Sequence, residues 1–134
     1  MPKKIKVALV GLGNCFSGLI QGIEYYSKNP SQKVTGIIHE NLRDYTIHDI
    51  EFVAGFDVGA NKVGKPINDA IYELPNMVNW IDKNDMPKAN GNVYESPALD
   101  GVGIWVENKV KPIESGKSES ELRQEIIKVL KETG

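Results

Sequence analysis

The sequence predicts an α/β fold, in which the strands of a parallel sheet alternate with helices. Two apolar runs of strand length, Ile5–Val10 and Ile50–Asp57, are each followed by turn formers and then by apolar residues at helical spacing. A third short strand is predicted at Asn92–Glu95, ahead of a final helical segment that begins after Ser118. Alternating strands and helices are typical of parallel sheets. We therefore expect the first β-α-β-α-β-α portion of a doubly wound parallel sheet.

The length and composition are those of one ordinary globular domain. The chain has 134 residues, of which 40% are hydrophobic and 25% are charged. Its 16 basic and 18 acidic side chains give a formal charge of −2 without a basic stripe, which argues against a nucleic-acid partner. No apolar run approaches the roughly 20 residues that span a bilayer. The single cysteine excludes an internal disulfide framework and a Cys-based zinc site, so we expect a soluble, cytoplasmic protein.

The first strand and the first helix have clear patterns. Ile5–Val10 is nearly all aliphatic, as expected for a strand that is buried on both faces of a parallel sheet. After Gly13, apolar residues recur at positions 16, 19, 20, 23 and 26, which predicts an amphipathic helix. Turn formers and a proline in residues 27–31 should end this helix. A loop-rich insert is expected from there to about Asp49.

Similar signals predict the later helices. A helix is expected within Asn61–Leu74, beginning near Pro66, because proline suits a first helical turn. The pattern of Ala98–Val110 leaves its conformation undecided. Ser118 and Glu121 have the spacing of a capping box, which predicts a last helix of about four turns. Its apolar face is formed by Leu122, Ile126, Val129 and Leu130.

The motif that suggests chemistry is the glycine-rich turn Gly11-Leu12-Gly13, between the first strand and the first helix. Glycines permit a tight turn and let backbone N–H groups approach an anion, and the helix N-terminus adds partial positive charge. The turn therefore suits the pyrophosphate of a dinucleotide. Phe16 stands where a third glycine is usual, although Gly18 and Gly22 offer a face for close helix–strand packing. The alternative is a tight turn that binds no ligand.

Asp57 ends the second strand and is the candidate for ribose recognition. A carboxylate at this place can accept hydrogen bonds from the ribose hydroxyls and repels a 2′-phosphate, so NAD is preferred over NADP. Asp57 lies 44 residues after Gly13, whereas the usual spacing is about 20, which requires an insertion after Ser27. The alternative is an acid that caps the turn after the strand.

Other candidates are weaker. Cys15 lies near a helix N-terminus, but it is expected to fill space beside the turn rather than to carry redox chemistry. His39 and His48 match no metal-site spacing and are expected in loops. Asp100-Gly101 predicts a turn, with a cofactor contact as the alternative. Packing rather than nucleotide stacking is expected of the tryptophans, Trp80 and Trp105.

Four segments together resemble a known family. They are VALVGLGNCFSGLIQGIEYY (7–26), followed by GIIH (36–39), then YTIHDIEFVAGFDVGANKVG (45–64) and PALDGVG (97–103). They resemble the amino-terminal part of inositol-3-phosphate synthase, also called myo-inositol-1-phosphate synthase, of the archaeal and actinobacterial type. The likeness extends over about residues 5–132. In this family the position of Phe16 usually holds alanine.

The resemblance implies a Rossmann-like NAD-binding domain, truncated, that occupies residues 1–134. It also implies a cytoplasmic homotetramer that converts glucose 6-phosphate into inositol phosphate by oxidation, enolisation, aldol closure and reduction, with the same NAD regenerated in each cycle. The family's cofactor contacts fall on these positions: Gly11, Gly13, Asn14, Cys15, Asp57, Ala98 and Asp100.

The resemblance further implies that the catalytic lysines and the substrate phosphate site lie in a later domain. The chain is therefore expected to be a piece of a longer protein and to be inactive by itself. Two alternatives remain open: a stand-alone nucleotide-binding or regulatory module, and a part of another NAD-dependent dehydrogenase.

Overall fold

The computed structural model describes residues 3–29 and 35–134. In chain order, the elements are β1 (Ile5–Val10), α1 (Asn14–Lys28), β2 (Asn41–Leu42), β3 (Tyr45–Thr46), β4 (Ile50–Asp57), α2 (Ile67–Ala70), β5 (Asn92–Glu95) and α3 (Glu119–Thr133). Single 3-10 turns occur at Ile47–Asp49 and Lys83–Asp85. The three strands predicted from the sequence are confirmed at their predicted bounds. None of the helices in the described part of the chain is long and apolar enough to cross a membrane.

The three long strands form one parallel sheet in the order β1-β4-β5. On one face, the core contains Leu9, Leu12 and Ile20 together with α2, so α1 and α2 cover this face. On the other face, Ala54 and Phe56 pack against Val129 of α3. Helices on both faces of a parallel sheet confirm the α/β class and the Rossmann-like arrangement. The β2–β3 pair is a separate antiparallel hairpin within the predicted insert.

The prediction that β1 is buried on both faces is wrong. Leu9 is buried, but Val10 on the opposite face is 73% exposed. β1 is an edge strand of the described sheet because it pairs only with β4. The cluster under α3 is centred on β4 and does not include a residue of β1. An aliphatic run therefore identified the strand correctly but not its surroundings.

The helix predicted within Asn61–Leu74 does begin after Pro66, but it is only one turn long. The Tyr72 and Glu73 amides donate to the carbonyls three residues back, Asp69 and Ala70, and Pro75 has no N–H with which the Ile71 carbonyl could resume the helix. This oxygen instead accepts hydrogen bonds from Ser17 Oγ at 3.0 Å and Asn76 Nδ2 at 2.9 Å. The chain therefore leaves the helix early and crosses over α1.

The other two helices follow the sequence closely. α1 ends at Lys28, inside the predicted terminating segment, whose residues 30 and 31 lie outside the described part of the chain. α3 begins with the predicted capping box, in which the Ser118 and Glu121 side chains each accept from the other residue's backbone N–H. Leu122 and Val129 are buried, whereas Leu130 is 44% exposed, so the predicted apolar face is narrower than expected.

Candidate functional site

A cavity of about 460 Å³ opens at the carboxyl ends of β1, β4 and β5. Six of the seven candidate cofactor residues line it, namely Gly11, Gly13, Asn14, Asp57, Ala98 and Asp100. The seventh, Cys15, is exposed and is not part of the lining. The sequence motifs thus converge on one place, although they come from three separate segments. Whether they bind a cofactor remains a prediction.

The two glycines of the turn differ in whether the backbone conformation requires a glycine. Gly11 has φ +78°, a conformation that other residues rarely adopt. Gly13 has φ −82°, which suits any residue, and a Cβ built on it would meet no atom within 4 Å. Nothing in the described protein therefore requires glycine at position 13. A side chain there would occupy the cavity instead, so the open space fits a ligand that approaches the backbone.

The amino end of α1 is free of competing groups. Its N-cap is Gly13, which has no side chain to accept from the first-turn N–H groups, and the first turn contains no acidic residue. The N–H groups of this turn have no carbonyl partner within the helix. Together with the helix dipole they favour an anion. This is the arrangement expected for pyrophosphate binding.

Leu12, between the two glycines, is fixed on every side. Its side chain is completely buried in the core. Its N–H donates to Asp57 Oδ2 at 2.7 Å. Its carbonyl oxygen accepts from Lys62 Nζ at 2.7 Å and from Asn76 Nδ2 at 2.8 Å. The conformation of the glycine turn is therefore set by buried side chains from later in the chain.

Asp57 is nearly buried, and both of its carboxylate oxygens have protein partners. Oδ2 accepts from the Leu12 N–H, and Oδ1 accepts from the Gly59 N–H at 2.8 Å. The alternative interpretation, that Asp57 caps the turn after its strand, is thus correct as far as it goes. Each oxygen still has a second lone pair, so this role does not exclude a hydrogen bond from a ribose hydroxyl.

Lys62 is a member of this cavity lining that sequence reasoning missed. Its side chain is only 5% exposed, and Nζ also donates to Asn76 Oδ1 at 3.2 Å. Burial lowers the pKa of Lys62, while the charges of Asp57 and Glu73 act to raise it. The segment around it reads as a turn of polar residues and glycines, so its sequence carries no signal of a buried lysine.

Gln21, which lies in the segment 7–26 that carries the family resemblance, is the centre of a buried polar network. The Gln21 side chain donates to Ser17 Oγ at 3.0 Å and to the Val78 carbonyl at 2.9 Å. Its oxygen accepts from the N–H groups of Trp80 and Ile81 at 2.8 and 3.1 Å. These bonds fasten the segment after α2 across α1. The same segment forms one wall of the cavity through its residues 74–76.

The expectation that Gly18 and Gly22 permit close helix–strand packing is wrong. The nearest neighbour of a Cβ at Gly18 would be the Trp80 ring, at 3.6 Å, and a Cβ at Gly22 would meet nothing within 4 Å. Both glycines instead line a separate apolar groove. Phe16 packs against the core as a partly buried side chain.

Of the remaining candidates, only Asp100-Gly101 lines the cavity. His39 and His48 lie in the insert as expected, and His48 Nδ1 is 3.0 Å from Ser27 Oγ. In residues 3–29 and 35–134 no group of three His, Cys, Asp or Glu side chains could hold a metal. Asp100-Gly101 forms the predicted turn, with Gly101 at φ +74°. The packing expected of the tryptophans is wrong, since Trp80 and Trp105 are 74% and 87% exposed.

The fold and the glycine turn define a Rossmann-like α/β segment in which the amino end of α1 has no side-chain cap. No family model matches the chain. The chain is 47% identical over 100 residues to a protein of Corynebacterium glutamicum named inositol-3-phosphate synthase, which covers 74% of this chain and 27% of the relative. It is 38% identical over 130 residues to the protein of that name from Mycolicibacterium smegmatis, covering 96% of this chain and 34% of the relative.

Two solved structures share the fold. The crystal structure of a protein named Ari2 matches 98% of this chain and 36% of its own, with a TM-score of 0.73 and 26% identity. A myo-inositol-1-phosphate synthase-related protein from Thermotoga maritima matches 97% of this chain and 32% of its own, with a TM-score of 0.70 and 19% identity. The resemblance stated from the motifs is confirmed: the chain is homologous to a part of inositol-3-phosphate synthases. It spans about a third or less of the two synthases described above.

Proposed function

We propose that this chain is the amino-terminal, NAD-binding part of an inositol-3-phosphate synthase. One observation supports this most directly. A single cavity is surrounded by the glycine turn, the uncapped end of α1 and Asp57. The chain that forms this cavity is homologous to inositol-3-phosphate synthases. The whole synthase then converts glucose 6-phosphate into inositol phosphate in the cytoplasm, as a homotetramer.

Each candidate residue has a role in this proposal. Gly11, Gly13 and the first turn of α1, including Asn14 and Cys15, receive the pyrophosphate. Asp57 accepts from a ribose hydroxyl, and its charge disfavours the 2′-phosphate of NADP. Ala98 and Asp100, which follow β5, contact the cofactor from the opposite wall. When bound, NAD would supply the hydride acceptor and donor for the sugar.

The other steps of the reaction need chemical groups that the candidate residues of this chain do not supply. Enolisation and ring closure require positioned acids, bases and cations around a sugar phosphate. The one buried lysine of the described residues, Lys62, is occupied by the glycine turn. We therefore assign the catalytic groups to the remaining two thirds of the synthase length, and expect residues 1–134 by themselves to show background activity with glucose 6-phosphate and NAD.

Calorimetric titration with NAD tests the proposal. Gly13→Val should weaken NAD binding by at least about ten-fold, because the side chain blocks pyrophosphate hydrogen bonds that contribute about 1.5 kcal/mol or more each. The backbone of residue 13 accommodates valine, so the free energy of unfolding should fall by no more than about 1 kcal/mol, the cost of a poorer N-cap residue. Gly22→Val, the same change away from the cavity, should bind NAD like the parent. Equal NAD affinity in Gly13→Val and the parent would show that the turn binds no dinucleotide.

A further inference from the structure

The carbonyl of Leu12 is held by two buried side chains at once. Lys62 Nζ lies 2.7 Å from this oxygen and Asn76 Nδ2 lies 2.8 Å from it. The two side chains also bond to each other, through Asn76 Oδ1. Asn76 donates in addition to the Ile71 carbonyl, which fixes its amide plane. The oxygen is thus enclosed by donors that cannot readily move.

This arrangement decides where the next N–H points. The peptide bond between Leu12 and Gly13 is planar and trans, so the Leu12 carbonyl and the Gly13 N–H point in opposite directions. The Gly13 N–H makes none of the backbone hydrogen bonds formed within the described part of the chain, and Gly13 lines the cavity. Fixing the carbonyl inward therefore fixes this N–H as a free donor.

We propose that Lys62 is a positioning residue, which holds the Leu12 carbonyl so that the Gly13 N–H is presented to the pyrophosphate of NAD. The identity of the ligand as NAD rests on the proposed function, whereas the fixed orientation of the Leu12–Gly13 peptide does not. A buried ammonium is costly to desolvate, and an apolar side chain of similar length would fill the same space without that cost. Positioning of the turn accounts for a lysine at this place.

The charge balance around Lys62 is consistent with this role. The charge of Asp57 raises the pKa of Lys62 more than the charge of Glu73 does, and so favours the protonated lysine. The same Asp57 carboxylate accepts from the Leu12 N–H. A charged donor forms a stronger hydrogen bond than a neutral one. Lys62 and Asp57 therefore hold Leu12 from its two backbone ends with opposite charges.

The test compares Lys62→Met with Lys65→Met in ¹⁵N-labelled protein. Lys65 is a partly exposed neighbour that pairs with Glu73, so its change removes a lysine without touching the turn. Lys62→Met should shift or broaden the Leu12 and Gly13 amide signals, and Lys65→Met should leave them in place. NAD and ADP should bind Lys62→Met about ten-fold more weakly, as expected for a lost hydrogen bond to a charged group, while adenosine affinity changes by less than about two-fold.

The outcomes separate the possible roles. Unchanged Leu12 and Gly13 amide signals in Lys62→Met would overturn the positioning role. If the parent binds ADP, equal ADP affinity in Lys62→Met and the parent would overturn it as well. An equal loss for adenosine and ADP would also overturn it, because it would indicate general damage to the fold. If the parent binds neither NAD nor ADP, the proposed function fails, and the amide signals still decide the hold on the peptide. If Lys62→Met does not fold, Asn76→Ala, which removes the other donor, should perturb the same two amides.

Discussion

The side-chain oxygen of Asn14 accepts a hydrogen bond from the backbone N–H of Met77 at 2.8 Å. Asn14 is the first residue of α1, and Met77 follows the cavity wall formed by residues 74–76. The first turn of the helix and this wall are therefore fixed to each other directly. The family resemblance makes Asn14 a candidate cofactor contact, and the structure adds a second role, since this side chain also positions the wall.

Asp57→Asn should reduce both stability and cofactor binding. An amide has one oxygen acceptor, so only one of the N–H groups of Leu12 and Gly59 keeps its partner, and the other faces an NH₂ group. Leaving a buried donor unpaired costs about 1–3 kcal/mol, which urea denaturation can measure. Asp100→Asn, on the exposed side of the same cavity, should leave stability unchanged.

In the parent, calorimetry should find NAD bound more tightly than NADP, and equal affinities would contradict the role of Asp57.

Gln21→Leu should destabilise the segment that crosses α1. It removes the shared acceptor of the Trp80 and Ile81 N–H groups and the donor to the Val78 carbonyl, for a loss of about 2–3 kcal/mol in the free energy of unfolding. Gln124→Leu on the exposed face of α3 is the matched control and should change stability by less than about 0.5 kcal/mol. Similar denaturation midpoints for the two variants would show that the network contributes little.

Two glycine-to-alanine changes should have opposite effects on stability. A Cβ at Gly91 would lie 2.5 Å from the backbone carbon of Val53, so Gly91→Ala should cost about 3 kcal/mol or more, or prevent folding. A Cβ at Gly22 meets nothing within 4 Å, and Gly22→Ala in the middle of α1 should gain about 0.5–1 kcal/mol. Thermal denaturation followed by circular dichroism distinguishes the two. A stable Gly91→Ala protein would mean that β4 and β5 are spaced differently.

The capping box of α3 should make stability depend on pH in the acid range. Hydrogen bonds from the Ser118 backbone N–H and side chain lower the pKa of Glu121 below its ordinary value of 4.5. A carboxyl whose folded pKa is depressed contributes stability above its unfolded value and loses it as pH falls through the folded value. The melting temperature of Glu121→Gln should therefore lie below that of the parent at pH 7, and the gap should narrow below about pH 4.5. A gap of constant size across this pH range would contradict this role of the capping box.

The features predicted correctly from the sequence depend on local signals. The strands Ile50–Asp57 and Asn92–Glu95 are apolar or β-prone runs with turn formers around them, and the Ser118–Glu121 capping box depends on residues three apart. The glycine turn is equally local. Its position between a strand and a helix is enough to mark Gly11 and Gly13 as candidates for anion binding.

The features that were missed depend on distant partners. Lys62 is buried because the Leu12 carbonyl, 50 residues earlier, accepts from it, and no local pattern carries this information. The exposure of Val10 depends on which strands and helices lie beside β1. The end of α2 is only partly local, since Pro75 has no N–H to resume the helix but does not account for the change in hydrogen bonding that begins at Tyr72.

The buried side chain of Leu12 makes the glycine turn a part of the hydrophobic core. A loop that is anchored in this way cannot open without exposing Leu12 to water, so its local opening free energy should approach that of global unfolding. The turn then has little conformational entropy left to lose when a ligand arrives, and more of the binding energy remains as affinity. Hydrogen exchange at the Leu12 amide should accordingly be as slow as in the centre of β4.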